Sequence, residues 1–147
     1  AYTGAPDMKA VCLASIIALW AIAHIWLIAI YFLDDYKRAN VPMLPVVVGD
    51  VKAAKVNIFV VTLIFIVVAF MTLFSMATIV SLLISLAFTV VIIREILRFI
   101  DSREKDYARR AYKILNPYQG VLLLVFWLES IFLFKTHCPT WSISREY

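Results

Sequence analysis

From Val56 to Ile93 the chain runs for 38 residues without a charged side chain. A helix crosses a bilayer in roughly 20 apolar residues, and only helices or closed barrels satisfy their backbone there. The run is too long for one crossing and right for two, placed at 56–74 and 79–99. No Gly or Pro marks the break, so the polar cluster Thr72, Ser75, Thr78 and Ser81 is taken as the turn. Two further apolar runs, about Ala10 to Leu33 and Tyr118 to Phe134, bring the crossings to four. Composition agrees: 64% of residues are hydrophobic and 16% charged, against about half and a quarter in soluble domains. The expected fold class is an all-α membrane protein with four transmembrane helices, one domain over 1–147 set in a lipid bilayer. No nucleic-acid partner is expected. The chain begins at Ala1 with no basic-plus-apolar signal ahead of the first run, and reads as processed or as a piece of a longer chain, incomplete at its N-terminus. Cys12 and Cys138 fit no metal-ligand or redox spacing and read as ordinary membrane-end residues.

Four crossings put the 34–55 and 100–117 connections on one side. Eleven of the fourteen Lys and Arg residues lie there, and only Lys9, Lys135 and Arg145 on the other. Positive charge marks the cytoplasmic face. The reading is a multi-pass protein of the prokaryotic cytoplasmic membrane, with Asp34–Val48 in the cytoplasm. Within 100–113, Asp101/Lys105 and Asp106/Arg110 are spaced as on a helix. That segment reads as a cytoplasmic extension of the third span. Either it attracts anionic headgroups, or Arg109 or Arg110 binds phosphate.

Asp34 and Asp35 close the first span, followed by Lys37 and Arg38. On a regular helix Trp20, His24, Ile28, Tyr31 and Asp35 form one stripe, with His24 and Asp35 ~16 Å apart along the axis. Asp34 points about 100° away from Asp35. Pro42 and Pro45 end the helix and predict a stiff, extended Asn40–Val48 loop. Asp50 then caps the next helix. Two carboxylates beside two bases suit a Mg²⁺-bound diphosphate, because Mg²⁺ shares hard oxygen ligands among carboxylates, water and phosphate. The alternative is an Asp34/Arg38 helix pair on a solvated loop. His24 is either functional or a hydrogen-bonded packing histidine. Glu129 reads as exposed at the outer interface or held by a structural hydrogen bond.

"HIW" followed by "YFLDDYKRANVPMLPVVVGD" resembles the second aspartate motif of the heme O synthases, the protoheme IX farnesyltransferases of the UbiA superfamily. The likeness runs more weakly through "ARRAYK" to the end of the fourth span. Three departures stand out. Ala23 replaces the proline that usually precedes the His, and Asn40 replaces a Gly, a mild change because Asn tolerates left-handed backbone. The family's first motif, Asn-x-x-x-Asp-x-x-x-Asp, is absent.

The resemblance implies the C-terminal half of a nine-helix prenyltransferase bundle. In such an enzyme Asp34 and Asp35 would hold Mg²⁺ and drive catalysis, and Lys37 and Arg38 would contact diphosphate. Tyr31, His24 and Trp26 would line the substrate site. The substrates would be farnesyl diphosphate and heme b, and the products heme O and diphosphate. Activity would require the missing N-terminal half as partner. Two rivals stay open: another UbiA-type prenyltransferase with a quinone or lipid acceptor, and a noncatalytic four-span membrane protein.

Overall fold

The computed structural model describes residues 7–137, and every regular element among them is helical. The order is α1 (Met8–Tyr31), α2 (Leu33–Arg38), α3 (Leu44–Val48), α4 (Asp50–Leu73), α5 (Ile79–Ser102) and α6 (Lys105–His137). Helices α1, α4 and α5, with Lys105–Ile131 of α6, are the four long and apolar enough to cross a membrane. They pack as a ring: α1 against α4, α4 against α5, α5 against α6, and α6 back against α1. Small and branched side chains fill the centre. Ala23, Ala29, Ala53 and Ala54 are fully buried, and side chains this small let helix backbones approach closely in membranes. Ile64, Ile92, Leu115 and Leu122 are buried with them.

Polar atoms inside the ring pair across helices. Asn57 on α4 donates its side-chain amide to the Ala23 carbonyl at 3.0 Å. Ser85 and Tyr118 share a hydrogen bond of 2.8 Å between α5 and α6. The Trp20 indole donates to the Leu115 carbonyl at 3.1 Å, tying α1 to α6. Glu129 is buried and accepts from the Thr78 hydroxyl. Of the two expectations for Glu129, the structural hydrogen bond is the one present. Such bonds contribute about 0.6 kcal/mol each on average in a bilayer, so packing dominates.

Several local expectations are corrected. The 100–113 segment does not extend the third span. Arg103 takes a left-handed conformation (φ 60°) and ends α5, and the residues from Lys105 open α6. Asp101 and Lys105 therefore lie on different helices. Helix α6 also continues through Pro117. Proline deletes one backbone bond, the one to the Lys113 carbonyl, without ending the ladder on either side. The Asn40–Val48 loop is not extended throughout, because Leu44–Val48 forms α3 with Pro45 in its first turn, where a missing N–H costs nothing. Asp50 lies inside the first turn of α4 rather than capping it. Gly49 holds the cap position at φ 91°, a value L side chains rarely adopt.

The α4–α5 turn falls within the polar cluster at 72–81, and its chemistry explains why neither Gly nor Pro was needed. Ser75 takes φ 55°, with Ser75 N–H donating to Thr72 O and Met76 N–H to Met71 O. That pattern is a Schellman cap. The same cap ends α2. Asn40 takes φ 52°, its N–H donates to Lys37 O, and Val41 N–H donates to Tyr36 O.

Asn40→Val should destabilise the α2 terminus by roughly 1–2 kcal/mol, the cost of a left-handed L residue. Asn40→Gly should not. Limited proteolysis within 39–48 checks this: faster cleavage of the Val variant alone is expected, and equal rates in all three proteins would refute the cap.

Candidate functional site

The charged residues gather where α1, α2 and α6 meet at one end of the ring. Helix α1 breaks at Phe32 (φ −95°, ψ 29°), whose carbonyl accepts from both Asp35 and Tyr36. Helix α2 restarts with Asp34 and Asp35 in its first turn and Lys37 and Arg38 in its last. Each sign thus sits at the end of the helix that favours it. A cavity of about 570 Å³ opens beside it, lined by Tyr31, Phe32, Asp34, Asp35, Arg38, Glu104, Lys105 and Asp106.

The two aspartates have different partners. Lys105 Nζ lies 2.5 Å from Asp34 Oδ2, joining positions 71 residues apart. Its hydrogen bond and charge, with smaller help from Lys37 and Arg38, hold the Asp34 carboxyl below its ordinary 3.8. Asp35 meets Arg38 at 3.9 Å, with both side chains mostly exposed, so that pair contributes close to nothing. The expected Asp34/Arg38 helix pair is therefore replaced by Asp34/Lys105 and Asp35/Arg38. Nearby, Arg103 reaches Asp50 at 3.3 Å and ties the α5–α6 turn to the start of α4.

A slot of about 340 Å³ adjoins this cavity and shares Tyr31 and Phe32 with it; its other lining is Ile28, Arg109, Tyr112 and Lys113. The Arg109 guanidinium lies over the Tyr31 ring, 5.5 Å from its centroid. Deeper along α1, His24 stands between Trp20 and Tyr112, with ring centroids 5.0 and 4.9 Å away. His24 Nδ1 is buried without a hydrogen-bond partner among the described residues.

Of the residues singled out from sequence, Tyr31, Asp34, Asp35 and Arg38 share one cavity. Lys37 is exposed and does not line it. Trp26 packs against the apolar core instead. Lys105, Glu104, Asp106 and Lys113 were missed as site residues. Their signal was the charged stretch "DSREKDYARRAYK", which gave no hint that it folds back onto α2. Among the described residues no group of three or more His, Cys, Asp or Glu could hold a metal ion. The carboxylate oxygens are the right donors for Mg²⁺, but two of them leave most of its coordination to phosphate and water.

A protein-family model described as the UbiA prenyltransferase family matches residues 1–132. A protoheme IX farnesyltransferase of Korarchaeum cryptofilum is 36% identical over 131 residues, covering 88% of this chain and 44% of that protein. Its counterpart from Hyperthermus butylicus is 33% identical over 134 residues, 89% of this chain and 45% of that one. The Pyrobaculum arsenaticum protein of the same name is 53% identical over 51 residues, 35% of this chain and 18% of its own. The chain thus spans less than half the length of these relatives. No solved structure matches it.

Because Lys105 depresses the Asp34 carboxyl, Lys105→Met should raise its titration midpoint toward 3.8. The sign follows: a depressed carboxylate stabilises the fold above its unfolded pKa and loses that contribution as pH falls through the folded value. Carboxyl ¹³C shifts of labelled aspartate, read in both proteins, test it. An unmoved midpoint would mean the ion pair does not form in solution.

Proposed function

This chain belongs to the UbiA prenyltransferase family, and on that premise we propose that it carries the second acidic motif of a protoheme IX farnesyltransferase. The observation that carries the reading is the shared wall of two unlike cavities. Asp34, Asp35, Arg38 and Lys105 surround a polar one, and Ile28, Phe32 and Tyr112 line an apolar slot beside it. The diphosphate of a prenyl donor matches the polar cavity, and a flat apolar acceptor matches the slot beside it.

In the proposed reaction the C–O bond of farnesyl diphosphate breaks and its electron pair leaves with diphosphate. The allylic carbon bonds to a heme vinyl carbon, and water captures the resulting cation as a hydroxyl with loss of a proton. Mg²⁺ held by Asp34 and Asp35 would supply charge neutralisation at the leaving oxygen. Arg38 and Lys105 act on the same developing charge, and Lys105 would exchange Asp34 for diphosphate when substrate arrives. Lys37 would meet the outer phosphate. His24 and Tyr31 would serve the acceptor side, and apolar spans would keep water from the cation. Catalysis requires a chain bearing the first acidic motif. The Asp34–Val48 segment faces the cytoplasm of a prokaryotic cell, where diphosphates are soluble.

The 147-residue chain alone should form no heme O, and co-expression with the N-terminal half of a relative should restore it. In that reconstituted enzyme Asp35→Asn should lower turnover by about 10²-fold or more, the scale of single electrostatic groups. His24→Ala should weaken heme binding and spare Mg²⁺-dependent farnesyl diphosphate binding. Chromatography of extracted hemes and separate titrations give the readouts; normal turnover by Asp35→Asn would end the assignment.

Orientation has its own test. Cys138 lies outside the described residues, and Cys12 is buried. A membrane-impermeant thiol reagent should label Cys138 from the outer face only. Labelling restricted to the cytoplasmic face would invert the topology.

A further inference from the structure

Arg109 and Lys113 have no role in the reading above. They stand four residues apart on α6, about 6 Å along the axis and on one face. Both are exposed, and neither enters an ion pair among the described residues. Yet both line the 340 Å³ slot between α1 and α6, whose remaining walls are Ile28, Tyr31, Phe32 and Tyr112. Two unpaired cations therefore edge a slot that is otherwise apolar and aromatic. Going deeper, Tyr112 leads to His24, and His24 to Trp20. The unpartnered His24 Nδ1 lies in that stack.

A ligand matching this order has an acidic edge, a flat apolar body and a reach of more than one helical turn. Diphosphate has charge without the apolar body, and its own cavity is next door. A prenyl chain has the apolar body without the acid. Protoheme has both, as a planar macrocycle with two neighbouring propionates on one edge. A volume of about 340 Å³ is small for a ligand site, which typically spans roughly 300–1,000 Å³. The slot therefore takes the acidic edge, and the ring continues along α1 and α6 toward His24.

We infer that Arg109 and Lys113 bind the propionates of protoheme and so fix which edge of the macrocycle faces the charged end of the bundle. This rests on the heme-acceptor reading above. The shared chemistry is anion binding at a membrane surface, and a lipid phosphate is the other source of it.

The test uses the 147-residue chain in phosphatidylcholine nanodiscs, titrated with heme and with heme dimethyl ester, whose propionates carry no charge. Empty nanodiscs supply the baseline, and the Soret band reports binding. Free heme should bind roughly 10-fold or more tighter than the ester, as expected for charge-assisted hydrogen bonds. The double variant Arg109→Gln/Lys113→Gln should bind both at the ester's affinity with unchanged helicity. The swap Arg109→Lys/Lys113→Arg should recover most of the preference, which a merely structural role would not do. Phosphatidylglycerol in the nanodisc, or added inorganic diphosphate, should leave the preference in place. Equal binding of heme and ester by the unmodified chain overturns the inference and leaves the heme reading intact. Binding of neither overturns both. Loss of the preference on adding phosphatidylglycerol assigns the pair to lipid, and loss on adding diphosphate assigns it to the leaving group; either overturns the inference.

Discussion

The contact of α1 with α6 is the constraint on which the rest depends. It joins the first and last described spans, and much of the candidate site lies along it and its continuation from α1 into α2. Trp20 bonds to the Leu115 carbonyl, His24 meets Tyr112, Tyr31 lies under Arg109, and Asp34 bonds to Lys105. These four contacts run in order from mid-span to the charged end. The Trp20 bond falls two residues before Pro117, where the α6 ladder has lost the bond to Lys113. Its acceptor is the Leu115 carbonyl, however, not the Lys113 carbonyl that Pro117 frees. If α1 tilted away, the polar cavity, the apolar slot and the aromatic stack would open together.

The ring needs sharp turns, and three of them are made without glycine. Asn40, Ser75 and Arg103 each take positive φ at a helix C-terminus. A left-handed L residue costs roughly 1–2 kcal/mol, and at Asn40 and Ser75 a Schellman cap offsets it by satisfying carbonyls that would otherwise be orphaned. This explains what the sequence made plain and what it concealed. Apolar run length set the number of crossings, because bilayer thickness dictates helix length. The α4–α5 break was placed by polar residues alone. The α5–α6 boundary was misplaced because nothing in "DSREKD" announces that Arg103 turns left-handed.

The site was legible in one half only. "DDYKR" is a local cluster, so spacing along α2 already put acids and bases together. Lys105 is 71 residues from Asp34, and Arg109 is far from Tyr31 in sequence. No periodicity links positions that distant; only the folded ring does. The local rule even pointed to the wrong partner, pairing Asp34 with Arg38 where the lysine of α6 wins. An exposed i,i+4 pair is worth about 0.3–0.5 kcal/mol at best, too little to hold Asp34 against a closer lysine fixed by the fold.

The ion pairs near α2 are consequently easy to exchange. Asp35 and Arg38 are mostly exposed, and Asp34 and Lys105 are only partly covered. Screening keeps such pairs weak, so an incoming polyanion or divalent cation meets partners that can be displaced at little cost. Farther in, the situation reverses. His24 Nδ1 and both polar atoms of the Gln119 side chain are buried without partners, and a polar atom left unpaired in an apolar medium costs about 1–3 kcal/mol. A ligand that bonds to His24 Nδ1 recovers free energy the bundle has already lost, whereas one that binds at Asp35 must replace water. The exchangeable charges thus lie at the open, charged end of the bundle, and the unsatisfied nitrogen lies inside it.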